Sequence, residues 1–516
     1  MSVSPSERRR ITKQYVAAIH SFGQIVIKNR LLRDHLLVDG VDYWAASPLR
    51  ESSPWHSPVF ARLNQIQGKT IVQQQSASLV NRSASTKLRT GLYWCANTFS
   101  SLTNRARSMK GDVVFVTFMP ESAVAVSDQA LVARYYGQLV EHVKTIGLTP
   151  VIVFLPTDSR PAAMSKGEKK TWKSLEKTLN CSTITSFITP RVVWQALMNW
   201  YKLRQNSPSC IEVAAASCAI EGLASLWPLV EDDYSNSFQG TASARTALLA
   251  AGWHHVLSKI EGAQLVVYPF EGQGWESLVE AACQHQGVAA VGYLHTIMKP
   301  WDTRAHTALR ESPPCTLAIH GDHDRAELDL SQTTTEPVEA LRYGYLAAER
   351  RGTSTVTSHH QVLIVMGADC ANSAQHLATF CDAVSRASRQ WSLVVKPHPQ
   401  CGLDRSETQI RITHGSLQDA LAECTAVFLC GTAAPLDSYL YGLPTAALTD
   451  ESGYSMNPLD PDESFFVGDT ADAVVAWLET AMQRSYPQPD ASHYFDLSPG
   501  LSKWGAVIRK HVVVKS

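Results

Sequence analysis

The sequence has no apolar run of the roughly 18 residues that a membrane-spanning helix requires. Residues 1–10, M-S-V-S-P-S-E-R-R-R, contain no apolar signal core, which predicts that the chain is not secreted. Lys and Arg total 46 and Asp and Glu 47, so the formal charge of −1 leaves no basic excess for nucleic acid. The eleven cysteines include no C-x-x-C pair and favour reduced thiols over a disulfide framework. These absences predict a cytoplasmic protein without a nucleic-acid partner.

Several common catalytic signatures are also missing. We find no Walker phosphate loop, no G-x-S-x-G nucleophile turn and no H-E-x-x-H metal motif. The chain does have ample apolar material, because 45% of its 516 residues are hydrophobic and only 18% are charged. That composition is sufficient for two or three domains with buried cores.

Alternating β-branched and helix-forming segments indicate an α/β fold. Strand–helix–strand units place their two strands parallel, since the helix carries the chain back across the sheet. The predicted elements are strand 112–119, helix 128–146 and strand 149–155; strand 265–269, helix 275–286 and strand 289–293; and strand 361–366, helix 373–388 and strands 392–395, 426–429 and 445–448. Residues 166–260 are predicted to be mostly helical.

Two such series, joined by a connector predicted over residues 300–335, describe the GT-B architecture. In this architecture two Rossmann-like domains with parallel sheets face a central cleft. We predict domain boundaries at 1–325 and 326–500, with a C-terminal helix over 501–516 that packs back on the body. A basic helix predicted over residues 7–36 has two interpretations, a solvated face or a peripheral contact with an anionic membrane surface.

An acidic, glycine-rich segment, F-E-G-Q-G-W-E, follows the predicted strand 265–269. Glu271 lies at the carboxyl end of that strand, where open α/β sheets bind ligands, and its carboxylate can accept a proton from an attacking hydroxyl. Glu276 is the second candidate for this base, although an acid in the first turn of a helix also favours the helix dipole. The segment matches G-x-G-x-x-S, a dinucleotide fingerprint whose third glycine is replaced by Ser277.

A second group of candidates follows strands of the later series. The segment W-S-L-V-V-K-P-H-P places His398 between two prolines, which stiffen the backbone around it. A rigidly held His beside a Lys suits an anionic leaving group. Backbone amides and hydroxyls that follow strands suit phosphate binding. The candidates for that role are Gly431, Thr432 and Gly367, with Lys396 as a cationic side chain beside them.

Two further histidine segments have open interpretations. His295, in G-Y-L-H-T, follows the predicted strand 289–293 and would face the same cleft as Glu271, either as a substrate contact or as a structural side chain. The segment His320-Gly321-Asp322-His323-Asp324 contains the side chains that bind divalent ions. Its spacing matches no metal motif and it lies in the predicted connector, so we expect no metal.

These segments together resemble a family of bacterial surface-carbohydrate biosynthesis proteins. They also resemble, more distantly, the inverting GT-B transferases that use CMP-activated 2-keto sugars such as sialic acids and Kdo. The resemblance runs through most of the chain and is carried by Val38-Asp39-Gly40 with Trp44, Tyr135-Tyr136-Gly137, Ser237-x-x-Gly240, Glu271 to Glu276, Gly292 to His295, Lys396 to Pro399 and Gly431-Thr432.

In the CMP-sialic acid transferases, an acidic residue followed by Gly supplies the base, a His-Pro pair meets the CMP phosphate, and a Ser/Thr turn completes the phosphate site. The resemblance assigns these roles to Glu271-Gly272, His398-Pro399 and Thr432. This chain departs at the last motif, where a hydroxyl pair is common and Gly431-Thr432 stands instead. Substrate contacts are expected from Gly272, Gln273 and His295.

The resemblance implies an inverting, metal-independent glycosyltransferase without a cofactor. It would move a sialic-, legionaminic-, pseudaminic- or Kdo-type acid from a CMP donor to a hydroxyl of a surface glycan such as lipopolysaccharide or capsule. Its partners are then a nucleotide sugar, bound by the second domain, and a glycan acceptor, bound by the first. Two alternatives stay open: a UDP-sugar or CDP-polyol donor, and a catalytically inactive GT-B scaffold in polysaccharide assembly.

Overall fold

Two parallel β-sheets organise the chain. The computed structural model describes residues 5–51, 76–102, 108–119, 135–156, 170, 179–220, 223–299, 302–347, 360–367, 370–398, 410–413, 415–430, 435–448, 465–481 and 490–513. Within these residues one sheet has seven strands and the other has six.

The first sheet is built from strands whose apolar residues are buried on both faces, as parallel sheets require. Its strands are β1 (Val113–Met119), β2 (Pro150–Pro156), β3 (Cys181–Thr183), β4 (Leu265–Pro269), β5 (Ala289–Tyr293), β6 (Thr316–Ile319) and β7 (Thr334–Pro337). They lie in the order β7-β6-β5-β4-β1-β2-β3 and every neighbouring pair is parallel. This is the doubly wound order, and its direction reverses between β1 and β4.

The second sheet repeats the same order. Its strands are β8 (His360–Met366), β9 (Trp391–Lys396), β10 (Arg411–Ile412), β11 (Ala426–Cys430), β12 (Thr445–Leu448) and β13 (Phe465–Gly468). They lie in the order β10-β9-β8-β11-β12-β13, again all parallel, with the reversal between β8 and β11. The chain therefore contains two Rossmann-like α/β units, as the predicted GT-B fold class requires.

Helices pack against both sheets and form an added layer on the first unit. They are α1 (Pro5–Gly23), α2 (Leu32–His35), α3 (Pro48–Glu51), α4 (Ser76–Ser101), α5 (Leu139–Thr145), α6 (Pro190–Asn206), α7 (Cys210–Cys218), α8 (Leu223–Phe238), α9 (Thr241–Ser258), α10 (Gly274–Gln286), α11 (Thr303–Glu311), α12 (Asp322–Glu327), α13 (Cys370–Arg386), α14 (Leu417–Ala422), α15 (Pro435–Leu440), α16 (Ala471–Ala481) and α17 (Ser502–His511). Short antiparallel pairs join 26–27 to 30–31 and 37–38 to 41–42.

The predicted connector over residues 300–335 is wrong. Helix α11 and strand β6 lie within that span, and β7 pairs with β6 in parallel, so the first sheet continues through Pro337. The expected boundary at residue 325 therefore falls inside the first unit. The short strands were missed because β6 has four residues and β7, T-T-E-P, has no apolar run.

The predicted basic helix over residues 7–36 ends earlier, at Gly23. The chain then turns through Lys28 and Asn29, both at positive φ, into a short antiparallel pair. Arg9 pairs with Glu327 at 3.3 Å, and Lys28 with Glu212 at 2.7 Å. Some of the basic residues are thus paired within the protein, and the membrane contact stays a prediction.

The C-terminal helix α17 returns to the first unit. Its buried Trp504, Val507 and Ile508 join the apolar cluster on one face of the first sheet. Buried Glu339 accepts hydrogen bonds from the amides of Lys503 and Trp504 at 2.8 and 3.1 Å, at the first turn of the helix. A carboxylate at this end of a helix satisfies unpaired amides and complements the helix dipole.

Two observations concern membrane and redox expectations. No helix in the described part of the chain combines the length and apolarity needed to cross a membrane. Nine described cysteines are free thiols, whereas Cys370 is disulfide-bonded. The expectation of reduced thiols is therefore wrong at Cys370.

A buried His–Asp contact lies after strand β6. Asp324 Oδ1 accepts the Met298 amide at 3.1 Å, and Oδ2 lies 4.0 Å from His320 Nδ1. Burial raises the pKa of Asp324 to about 7, against the opposing effect of the Met298 amide. Burial lowers the pKa of His320 to about 4, although its backbone contacts oppose this. Between these pH values both groups are neutral in the folded protein, so the contact is not an ion pair.

This contact predicts an unusual pH dependence of stability. Between about pH 4 and pH 6.5 the unfolded chain carries a proton on His320, and the folded chain carries one on Asp324. The effects of the two groups on the pH dependence of stability therefore cancel. Asp324→Asn removes the carboxyl, and the lowered pKa of His320 then makes stability rise with pH across this window. We expect a steeper rise of the urea-unfolding free energy from pH 4.5 to 6.5 than in the unaltered protein.

The exposed neighbour Asp322, on the same helix, provides the control. Asp322→Asn should keep the original pH slope. Equal slopes for the Asp324→Asn variant and the unaltered protein would show that the carboxyl titrates alike in the folded and unfolded chains.

Candidate active site

Glu271 and His295 lie side by side at the carboxyl ends of two neighbouring strands. Each stands two residues past its strand, and the strand ends Pro269 and Tyr293 are register partners. His295 Nε2 is 3.3 Å from Glu271 Oε1. The His295 side chain is 5% exposed and that of Glu271 is 26% exposed, so the carboxylate reaches solvent with the imidazole behind it. The structure thus brings together the two residues that the sequence placed at one edge.

Gln273 orients the carboxylate of Glu271. Its side-chain amide donates to Glu271 Oε2 at 2.5 Å, and its carbonyl oxygen accepts from Trp275 Nε1 at 2.8 Å. Because both ends of the amide are engaged, its orientation is fixed. The residue expected to contact substrate therefore acts on Glu271 in this structure.

Glu276, the second candidate for the base, supports the loop from below. It is only 3% exposed, and its two oxygens accept the amides of Glu271 and Gly272 at 2.9 and 3.0 Å. Burial raises the pKa of Glu276, while the Glu271 amide and the nearby Arg50 oppose this. A buried carboxylate cannot meet an acceptor hydroxyl, whereas the carboxylate of Glu271 reaches solvent, so the geometry favours Glu271 as the base.

Arg50 and Glu51, on helix α3, complete the support of this loop. The buried Arg50 donates through Nε to the Ala45 carbonyl at 2.5 Å and through Nη1 to the Gly272 carbonyl at 2.9 Å. Glu51 accepts the Gly274 amide at 2.6 Å. Sequence reasoning missed both residues, because nothing local shows that they are buried against a loop more than 200 positions away.

Gly272 and Gly274 are required by close packing. Gly272 has a φ of +73°, and a Cβ there would lie 2.6 Å from Ala305 Cα. A Cβ on Gly274 would lie 2.5 Å from the Ala46 carbonyl oxygen. The loop is therefore held between α3 and the start of α11, which limits where Glu271 can point.

Two cations also lie near Glu271 and were missed from the sequence. Burial lowers the pKa of Lys299, while Asp302 and Glu271 act in the opposite direction. For Arg304 burial also acts to lower the pKa, but Asp302, Glu271 and further carboxylates raise it overall. The signal available in the sequence was two basic residues that follow the end of β5 at Tyr293 by six and eleven positions.

Aromatic side chains line the same edge of the first sheet. The Tyr135 ring lies 5.0 Å from the His295 ring, centroid to centroid. The ring centroid of Phe118, near the end of β1, lies 6.1 Å from that of Tyr135 and 5.6 Å from that of Trp275. These rings place apolar surface beside Glu271 and His295, and such surface is typical of small-molecule sites.

The candidates on the second sheet also lie past the carboxyl ends of adjacent strands. Partly buried His398 follows β9 by two residues, and Lys396 at the end of β9 donates through Nζ to the Gly415 carbonyl. Burial lowers the pKa of Lys396, with Asp419 opposing. The Gly367 amide donates to the Cys430 carbonyl at 2.7 Å and to Ser373 Oγ at 3.1 Å.

The Gly367 amide thus joins the ends of β8 and β11 in this structure, and serves there as a structural link. Three of the predicted phosphate-site residues, Pro399, Gly431 and Thr432, lie outside the described residues.

The described residues hold no group of three or more His, Cys, Asp or Glu side chains arranged to hold a metal ion. A cavity of about 500 Å³ lies beside His320 and is lined by Asp322, Arg325, residues 490–492 and residues 495–498 among others. None of the predicted site residues lines it. We therefore place the candidate active site at the strand ends and not in this cavity.

Neither a protein-family model nor a curated protein matches the sequence. Solved structures with similarity to the chain include a UDP-GlcNAc 2-epimerase from Methanocaldococcus jannaschii, with 9% identity and a TM-score of 0.42 over 78% of this chain and 99% of that one. The glycosyltransferase SnogD from Streptomyces nogalater has 11% identity and a TM-score of 0.37 over 78% and 99%. A UDP-GlcNAc 2-epimerase from Neisseria meningitidis bound to UDP-GlcNAc has 9% identity and a TM-score of 0.41 over 78% and 99%. Because these values are low, we base the proposed function on the side chains of this chain.

The packing of Gly272 predicts a large effect of Gly272→Ala on stability. The left-handed backbone costs about 1 kcal/mol for Ala, and displacing the backbone of α11 adds about 1–3 kcal/mol. Gly287 is the matched control, since it has a φ of +67° with nothing within 4 Å of an added Cβ. Urea unfolding should show Gly287→Ala losing only about 1 kcal/mol. Equal losses in the two variants would contradict the close approach.

Proposed function

We propose that this chain is an inverting glycosyltransferase that moves a 2-keto sugar acid from its CMP donor to a hydroxyl of a surface glycan. The observation that carries the proposal is the Glu271 carboxylate, which is partly exposed at a strand end, lies 3.3 Å from His295 Nε2 and accepts a hydrogen bond from Gln273. Two Rossmann-like units with site candidates past the carboxyl ends of their strands also support it.

In the proposed reaction the acceptor hydroxyl donates a hydrogen bond to Glu271. Its oxygen attacks the anomeric carbon on the face opposite CMP, and the hydroxyl proton passes to Glu271. A new carbon–oxygen bond forms as the bond from the anomeric carbon to the phosphate oxygen breaks. CMP departs with the electron pair, and the configuration at the anomeric carbon inverts.

His295 has a positioning role in this scheme. The His295 imidazole, 3.3 Å from Glu271 Oε1, and the Gln273 amide, which donates to Oε2, hold the carboxylate in place. Each carboxylate oxygen has two lone pairs, so one on each remains for the acceptor hydroxyl. His398, on the second unit, stabilises the charge that develops on the departing phosphate, and no metal or cofactor takes part. Pro399, Gly431 and Thr432 are proposed to complete the phosphate site with Lys396.

Replacing the proposed base gives the first functional test. Glu271→Gln keeps the shape of the side chain but cannot take the proton, so CMP release in the presence of acceptor should fall by about 10²–10⁴-fold. CMP binding, measured by calorimetry, should be unchanged. The exposed Glu261→Gln on the same unit is the control and should keep full activity. Unchanged turnover in Glu271→Gln would remove Glu271 from the reaction.

Replacing His398 tests the nucleotide. CMP should raise the melting temperature of the protein, since a ligand that binds the native state stabilises it. His398→Ala should lose most of this rise in melting temperature. His360→Ala should keep it, because His360 lies at the amino end of β8, away from the carboxyl ends of the strands where His398 lies. Stabilisation by UDP and not by CMP would favour the UDP-sugar alternative. No response to CMP, CDP, UMP or UDP would favour an inactive scaffold.

A further inference from the structure

Arg304, in the first turn of α11, has a partly buried guanidinium that makes no hydrogen bond or ion pair with any residue the structure describes. The carboxylates of Asp302, Glu271, Glu51 and Glu276 act on it only through space. Most Arg side chains at such depth donate hydrogen bonds to a carboxylate or a carbonyl, because a buried N–H group without an acceptor is costly and Arg has five of them. The N–H groups of this guanidinium can therefore donate hydrogen bonds to a ligand.

The backbone fixes Arg304 next to the proposed base. A Cβ on Gly272 would lie 2.7 Å from the Arg304 carbonyl carbon, so Arg304 packs directly on the loop that follows Glu271. Buried Lys299, a few residues earlier, is close enough to interact electrostatically with both Arg304 and Glu271. Positive charge thus flanks the carboxylate that would accept the proton.

The chemistry of the donor gives this placement a meaning. In a 2-keto sugar acid the carboxylate is bonded to the anomeric carbon itself, whereas an aldose donor carries only hydrogen there. The attacking oxygen lies between the base and that carbon, which puts the carboxylate roughly 6 Å from the base. A cation beside Glu271 can therefore form an ion pair with a 2-keto sugar acid. An aldose donor has no charged group at that position.

We propose that Arg304 binds the carboxylate on the anomeric carbon of the donor and so selects 2-keto sugar acids over aldoses. Its planar guanidinium matches a carboxylate with two parallel hydrogen bonds, and Lys299 adds charge to the same pocket. This inference rests on the proposed function and adds the residue that sets its donor class.

The test compares two donors, one with this charge and one in which a methyl ester removes it. CMP-N-acetylneuraminic acid and its C1 methyl ester are titrated calorimetrically, with CMP alone as reference. Arg304→Ala should weaken binding of the acid by about 10- to 100-fold, as expected for charge-assisted hydrogen bonds. Binding of the ester and of CMP should be unchanged. Arg304→Lys should recover part of the loss, because it restores the charge without the fork.

Arg310→Ala, an exposed position on the same helix, is the matched control and should bind all three ligands normally. Retained CMP binding shows that each variant is folded. If Arg304→Ala weakens binding of acid and ester equally, or of neither, Arg304 does not bind the donor carboxylate. The proposed function would still stand in that case, provided that the unaltered protein binds the CMP-sugar. Failure of the unaltered protein to bind CMP or either donor would overturn the proposed function, and this inference with it.

Discussion

The carboxylate of Glu276 holds the loop on which the rest of the candidate site depends. It accepts two successive backbone amides from inside the protein, while Arg50 binds the carbonyl of the same loop. These contacts fix the backbone at Glu271 without using any group that faces solvent. Buried hydrogen bonds to charged groups are costly to break, so the position of Glu271 is set before any ligand arrives. The buried acid therefore supports the site, and the partly exposed acid faces solvent.

The sheets could be predicted because their strands are apolar on both faces and end in recognisable turns. Strand ends β4 and β5 also predicted that Glu271 and His295 would meet, since adjacent parallel strands end at one edge. Arg50, Glu51, Lys299 and Arg304 could not be predicted in the same way. Their roles depend on contacts with residues distant in sequence and on burial, neither of which leaves a periodic pattern. The edge strand β7 was missed for a related reason, as its polar residues lie at the margin of the sheet.

The two units share one strand order but divide the chemistry. In the first, side chains that follow β4 and β5 supply a carboxylate, an imidazole and nearby cations. In the second, the Gly367 amide ties β8 to β11 at the point where the strand order reverses, so the backbone there is already occupied. In the proposed function, the phosphate contacts of this unit therefore come from groups beyond that link, such as His398. The two units share a fold, but residues that follow equivalent strands in them need not have the same role.

Helix α17 follows the second unit in sequence but packs in the core of the first, where Glu339 caps it. The second unit is therefore, in chain order, an insertion between parts of the first. During synthesis the apolar face that receives Trp504 is complete only after the whole second sheet has emerged from the ribosome. The core of the first unit is consequently completed last. Until α17 packs on it, the apolar face of the first sheet is exposed to chaperones and to incorrect association.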